Sequence, residues 1–296
     1  MTVYGLRIQQ RQHSTYVRAL HTRRYRPRVR IEGSRLLLTG ATGGLGRAIA
    51  TALAEAGASL VLSARSATEL AGLAAALPGG ESRHRVVPAD LSHPGAVTAL
   101  LEGAGELDGL VANAALPGTG RLESFSADEL DRALRVNLEA PIVLSHDLAP
   151  RLAARGAGHI VFIASLAGKV ASPRGAIYSA TKFGLRGFAF GLREDLIGHG
   201  VGVSVVSPGF VSDAGMFHDT GVEPPLVLGS TTPEKVAKAV CRAIERNRSE
   251  ITVAPLRQRL LAEFAYRHPE WAARVQRIGG ADDIVGDLER EQAVKR

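Results

Sequence analysis

Residues Thr39-Gly40-Ala41-Thr42-Gly43-Gly44-Leu45-Gly46 follow a short apolar run, Arg35 to Thr39, and lead into a stretch with helical spacing through Ala48, Ile49, Ala50, Leu53 and Ala54. A glycine-rich turn between a strand and a helix lets the chain reverse tightly and packs the helix close to the strand. It also leaves the free N–H groups of the helix start facing any anion that approaches the backbone. Alone such a turn is a weak signal, but after a strand in a repeating strand–helix pattern it reads as a cradle for a pyrophosphate. It therefore asks for parallel strands joined by crossover helices.

The remaining sequence supplies that rhythm. Arg35 to Thr39, Ala58 to Ser63, His84 to Pro88, Leu107 to Asn113, His159 to Ala164, Val201 to Val206 and Glu250 to Val253 read as strands, separated by Ala/Leu-rich amphipathic stretches. Leu60-Val61-Leu62 and Ile160-Val161-Phe162-Ile163 are apolar at successive positions, the mark of strands covered by helices on both faces. The fold class is α/β, a doubly wound parallel sheet of the Rossmann type with about seven strands. Within the helical stretch Ser126 to Arg155, Ala127, Leu130, Ala133, Leu134 and Leu138 trace a stripe expected in the core.

With 296 residues, 45% of them apolar, the chain can bury one large core. Residues 34–255 form the expected catalytic domain, preceded by a leader (1–33) and followed by a helical extension (256–296). Periodicity fails from Phe210 to Ser230, a segment expected to act as a substrate lid; its Phe210, Val211, Met216, Phe217, Leu226 and Leu228 favour a lipophilic substrate. The extension is basic and amphipathic from Pro255 to Gly279, with plain packing against the domain preferred over contact with a membrane surface or a cover for the site.

The net charge of +7 is concentrated in residues 1–33, which hold eight arginines against the single acid Glu32, so the body is formally neutral. That leader has neither apolar periodicity nor the apolar core of a secretory signal. It reads as a disordered tail or a mis-assigned start, with a targeting peptide or polyanion-binding arm as the alternatives. A neutral body without a face of interleaved aromatic and basic residues argues against nucleic acid as partner. No segment reaches the roughly 18 uninterrupted apolar residues of a membrane span. The lone Cys241, set among Val240, Ala243 and Ile244, reads as core packing rather than a nucleophile; it excludes an intrachain disulfide and a cysteine metal cluster, and no metal is expected. A cytoplasmic location fits.

The end of the second strand, Leu62-Ser63-Ala64-Arg65-Ser66, offers a basic group where an NAD site normally places an acid for the ribose 2′-OH. Arg65 suits a 2′-phosphate, with Ser63, Ser66 or Arg47 contributing, which favours NADP over NAD; the alternative is a solvated surface arginine. Further on, Tyr178-Ser179-Ala180-Thr181-Lys182 puts a phenol and an ammonium on one helical face. A neighbouring ammonium is expected to lower the phenol's pKa and make it a usable proton donor and acceptor. Ser165, just past an apolar strand, stands at the carboxyl edge where open α/β sheets bind ligands, and could hydrogen-bond a substrate oxygen.

Taken together these residues resemble the short-chain dehydrogenase/reductase family over residues 35–255. The resemblance extends to Asp90-Leu91, Asn113-Ala114-Ala115, Asn137 and Pro208-Gly209, in matching order and spacing. It implies an oxidoreductase moving a hydride between nicotinamide and a carbonyl or alcohol. Ser165, Tyr178, Lys182 and Asn137 would be catalytic, with Asn137 holding a proton-relaying water near Lys182. Gly40, Thr42, Gly43, Gly44, Leu45, Gly46, Arg65, Asp90, Leu91, Asn113, Ala114, Pro208, Gly209 and Val211 would contact the cofactor together with Tyr178 and Lys182. It also implies a homodimer or homotetramer assembled through the Tyr178 helix. Ala115 stands where the family commonly has Gly, and Asp213 where a threonine usually meets the nicotinamide carboxamide, which puts carboxamide recognition there in doubt. The glycine spacing alone also suits the family's extended branch of epimerases and dehydratases, which the shorter body and the Pro208-Gly209 segment disfavour. A non-catalytic NADP-binding regulator is the rival from another class, opposed by the intact Ser165, Tyr178 and Lys182.

Overall fold

The computed structural model describes residues 30–212 and 229–278. The bulk of the leader, residues 213–228 of the segment expected to act as a lid, with Asp213 among them, and positions 279–296 lie outside the described residues. Seven strands alternate with helices: β1 (Arg35–Thr39), α1 (Gly44–Glu55), β2 (Ser59–Ser63), α2 (Ala67–Ala76), β3 (Arg85–Val86), α3 (Ala96–Ala104), β4 (Gly109–Ala112), α4 (Ala127–Leu134), α5 (Ala140–Arg155), β5 (Gly158–Ile163), α6 (Ala176–Asp195), β6 (Val201–Pro208), α7 (Pro233–Arg246) and β7 (Glu250–Val253). Two further helices close the described chain, α8 (Leu256–Arg267) and α9 (Pro269–Ile278). The strands pair in the order β3-β2-β1-β4-β5-β6-β7, all parallel. The order reverses between β1 and β4, which opens a crevice at their carboxyl ends.

Strand alternation divides the core into two layers. Leu36, Leu38, Leu60, Leu62, Val161 and Ile163 face α1, α2 and α7 through residues such as Ile49, Leu53, Leu70, Val236 and Val240. Leu37, Val61, Leu110, Ile160 and Phe162 face the other way, onto Leu100 of α3, Leu144 and Leu148 of α5, and Leu185 of α6. A period of two with both faces covered is why these strands read as unbroken apolar runs. Local chemistry sets the helix ends: Ser126 and Glu129 form a reciprocal capping box at α4, and Thr232 with Pro233 starts α7, which stops at Asn247 in the left-handed region (φ 46).

Three expectations need correction. The β3 strand shrinks to Arg85–Val86 because it is an edge strand with an exposed side chain. Even so, Val87 N and Ala89 N still donate to Leu62 O and Ala64 O at 3.0 Å. The stretch 127–155 is helical throughout, as expected, but a π turn, Arg135–Glu139, joins α4 to α5 and shifts which side chains share a face. The stripe expected there in the core is only partly so, for Ala133 is buried whereas Ala127 and Leu134 are exposed. Finally, α8 turns Gln258, Ala262 and Ala265 inward and its leucines and Phe264 outward, and the first turn of α9 likewise buries Ala272 and exposes Trp271, so plain packing does not account for the apolar pattern of α8.

Candidate active site

The glycine turn is built for a backbone in close quarters. Gly40 has φ 64, and a Cβ there would stand 2.8 Å from Ala114 Cα; one on Gly46 would run into Gly40 O and stand 2.9 Å from Ala41 Cα. Thr39 Oγ1 accepts the N–H groups of Asn113 and Ala114 at 3.1 Å each, and Asn113 Nδ2 donates to Thr39 O and Gly40 O, again at 3.1 Å. The turn is thus stitched to the end of β4 at the crevice. Helix α1 begins at Gly44 behind Gly43, with no side-chain cap and no acid in its first turn, so its amide dipoles are left to an external anion. Thr42 and Leu45 flank that start, Thr42 through its carbonyl and Leu45 packed on the core. These features fit a dinucleotide's diphosphate.

On the β2–β3 side, Arg65 is exposed and near enough to Asp90 to act on its charge. Burial works to raise the Asp90 carboxyl, but hydrogen bonds from the Ser92 hydroxyl (2.7 Å) and amide (3.0 Å), with His93 and Arg65 nearby, leave it below its ordinary range. Leu91 beside it is buried. Of the suggested helpers of Arg65, Arg47 is already engaged with Thr42 O (2.8 Å) and Glu69 (3.3 Å), Ser66 caps α2, and Ser63 is buried. Arg65, exposed at the end of β2, is therefore the candidate that remains. On the far side, Pro208 ends β6, Gly209 N donates to Val253 O at 3.0 Å, and Val211 bridges to Thr231.

Ser165, Tyr178 and Lys182 come together beyond the carboxyl end of β5, whereas the side chain of Asn137 is held at Leu116, past the end of β4. Arg174, held in the left-handed region (φ 53) and accepting from Gly120 N at 2.7 Å, turns the chain into α6, whose first turns carry Tyr178 and Lys182. The Ser165 side chain accepts from Ala167 N at 3.1 Å and hydrogen-bonds the Tyr178 hydroxyl. Lys182 is buried; its Nζ donates to Ile163 O at 3.1 Å and lies 5.5 Å from the centre of the Tyr178 ring.

The acid–base expectation is reversed in direction among these protein groups. Burial pushes Tyr178 up to about 12, against the opposing pull of the Ser165 hydrogen bond, and the same burial brings Lys182 down to about 8. Desolvation outweighs the attraction of an ammonium that bonds a carbonyl rather than the phenol. Near neutral pH the phenol keeps its proton, and the lysine is close to its own titration.

Asn137 lies in the π turn, where Ala140 N donates to Arg135 O five residues back. Its side chain is held by Leu116, accepting from Leu116 N at 2.6 Å and donating to Leu116 O at 2.9 Å. Three features escaped the sequence reading. The Thr39 hydroxyl had a signal, a threonine closing the strand before the glycines. The π turn had none. The third is Glu250, which receives Arg186 Nε (2.9 Å), Lys169 Nζ (3.0 Å) and the Ser207 hydroxyl (3.1 Å). Burial alone would raise the Glu250 carboxyl, but the hydrogen bonds and charges of Arg186 and Lys169 hold it below its ordinary range. Lys169 follows Ser165 by four residues and Arg186 follows Lys182 by four, so one carboxylate ties both elements together. Cys241, packed against the core, has its thiol pushed up to about 11 by burial, with Glu245 and Glu55 adding to the shift, which makes it a poor nucleophile.

Fold and site together define an α/β oxidoreductase of the dinucleotide-binding class. A family model described as short chain dehydrogenase matches residues 34–223. The chain is 38% identical over 227 residues to the ketoacyl reductase HetN of Nostoc sp., covering 75% of this chain and 79% of that one. It is 30% identical over 249 residues to dehydrogenase/reductase SDR family member 7B of Bos taurus, with 77% and 76% covered. Among solved structures, a metagenomic short-chain oxidoreductase in complex with NADP shares 33% identity at a TM-score of 0.64, over 77% of this chain and 99% of that one. A 3-oxoacyl (acyl-carrier-protein) reductase from Agrobacterium tumefaciens C58 with NADP bound shares 25% at 0.69, over 75% and 93%. The chain belongs to the short-chain dehydrogenase/reductase family and is an NAD(P)-dependent oxidoreductase acting on CH–OH and C=O groups.

Proposed function

We propose that this protein is an NADP-dependent reductase of a carbonyl carried on a lipophilic molecule, with Tyr178 as proton donor, Ser165 as its partner at the carbonyl oxygen and Lys182 as the supporting cation. The observation that carries the reading is the grouping of the half-buried Ser165 and Tyr178, joined by a hydrogen bond, with the buried Lys182 5.5 Å from the centre of the Tyr178 ring. When bound, the dinucleotide supplies the hydride. The chain's own part is to bind, orient and move a proton. Ser165 and Tyr178 hydroxyls polarise the oxygen, and Tyr178, kept protonated by burial, gives its proton. Lys182, charged below about pH 8, stabilises the phenolate that remains. Because the Asn137 amide is held by Leu116, a proton route past Asn137 would use its backbone carbonyl.

Gly40, Thr42, Gly43, Gly44, Leu45 and Gly46 would hold the diphosphate, Asp90 and Leu91 the adenine, and Arg65 the 2′-phosphate. Asn113 and Ala114 would floor the crevice, and Pro208, Gly209 and Val211 would line the nicotinamide side. A carbonyl on an apolar chain is supported by the apolar residues following Phe210, and by relatives named as ketoacyl and 3-oxoacyl reductases. Self-association through α6 is supported by the exposed Phe183 on it and the exposed Leu134. No helix among the described residues is long and apolar enough to cross a membrane.

Two measurements test the reading. NADPH consumption with a panel of aldehydes, ketones and quinones should show turnover that is level below about pH 8 and declines above it. The sign follows from Lys182, whose depressed pKa means that the charge is present below that value and lost above it, while Tyr178 keeps its proton to about 12. A rate that climbs through pH 8 would remove Lys182 as the supporting cation. Arg65→Glu should weaken NADPH binding by roughly 10- to 100-fold, the size of a lost charge-assisted hydrogen bond, and leave NADH binding nearly unchanged. Equal losses for both dinucleotides would remove the preference for NADP.

A further inference from the structure

Helix α8 and the first turn of α9 invert the usual amphipathic arrangement. Their buried side is small and polar: Gln258, Ala262, Ala265 and Ala272. Gln258 anchors α8 to the body, donating from Nε2 to Gly229 O at 2.6 Å and accepting from Phe210 N at 3.4 Å. The large apolar side chains point the other way. Leu256 is 66% exposed, Leu260 62%, Tyr266 61% and Trp271 61%, with Leu261 and Phe264 also exposed. Leu256, Leu260 and Phe264, spaced by four, form one stripe along α8. Single exposed leucines need no explanation, but six large apolar residues within sixteen positions form a patch.

The charge around that patch decides what it fits. Arg257, Arg259, Arg267 and Arg274 are exposed among these residues, against Glu263 and Glu270, and Glu263 is already paired with Arg267 at 2.9 Å. By helical spacing Arg257 projects between Phe264 and Leu261, and the Arg274 guanidinium lies 5.9 Å from the Trp271 ring. Apolar stems with cationic tips, next to tyrosine and tryptophan, are what an interface between hydrocarbon and anionic headgroups selects. A second copy would press one basic face against another, which opposes self-pairing through this patch. We infer that α8 and α9 form a docking surface for an anionic lipid bilayer, lying in the headgroup plane rather than crossing it.

Trp271 is the chain's single tryptophan, so its fluorescence reports on this patch directly. The full-length protein is mixed with vesicles of phosphatidylcholine alone or with phosphatidylglycerol added, and sedimentation and Trp271 emission are recorded together. Phosphatidylglycerol should bring the protein down with the vesicles and shift the emission to the blue. Leu260→Ser with Phe264→Ser should weaken that association by roughly tenfold or more while leaving NADPH-linked turnover intact. Arg257→Glu with Arg259→Glu should weaken it similarly. Sedimentation with unchanged emission would mean that the arginines of residues 1–33 hold the vesicle by charge alone, and would overturn the inference. So would absence of association, or a blue shift that grows with protein concentration when no vesicles are present, which would assign the patch to a second copy.

Discussion

Tyr178→Phe should lower carbonyl reduction by roughly 10²- to 10⁴-fold, the range a positioned proton donor contributes, while NADPH binding changes little. The substitution removes one oxygen from a ring that is otherwise kept, in a helix whose start is set by Arg174 and Gly120 rather than by the phenol. Ser165 would remain capped against Ala167 N, and Lys182 would still bond Ile163 O. A loss in kcat with an intact dinucleotide isotherm would place the defect in chemistry. Steady-state rates and a binding isotherm on the same preparation suffice, and a rate within a few-fold of the parent would remove Tyr178 from the proton chemistry.

Gly46→Ala should have the next largest effect. Its Cβ would meet Gly40 O and Ala41 Cα, both backbone, so α1 must retreat from the turn. Overpacking of this kind costs about 1–3 kcal/mol, and a displacement of about 1 Å at the diphosphate cradle can lower kcat/KM by about 10²-fold. Gly72→Ala is the control: nothing lies within 4 Å of its added methyl in the middle of α2, and alanine there should stabilise by about 1 kcal/mol. Thermal melts with and without NADPH separate the two effects. Gly46→Ala should melt earlier and gain less from the dinucleotide; a parent-like NADPH-dependent shift would mean that the turn does not hold the diphosphate.

Much of this was legible because period and punctuation agree along the chain. Leu36, Leu37 and Leu38 alternate between two apolar layers, so β1 reads as a buried parallel strand, and the glycines after it fix the turn. Tyr178 and Lys182 needed only helical spacing to share a face. What stayed hidden depends on atoms that a one-dimensional pattern does not encode. The π turn at Asn137 adds one residue to a helical run without changing its composition. Solvent exclusion decides the Tyr178 and Lys182 shifts, and spacing shows only that the two are neighbours. Glu250 meets Lys169 and Arg186 from more than sixty positions away in sequence. The outward leucines of α8 have the same spacing that inward ones would have; only Gln258, bonded to Phe210 and Gly229, shows which side faces the body.

The most direct test of the catalytic assignment is a crystal structure of the NADP complex. The diphosphate should lie against the backbone between Gly40 and Gly46, the 2′-phosphate at Arg65, and the nicotinamide ribose within hydrogen-bond reach of Lys182 and Tyr178, so that the Tyr178 hydroxyl faces the reactive side of the ring. A dinucleotide seated elsewhere, or a ring turned away from Ser165 and Tyr178, would contradict it.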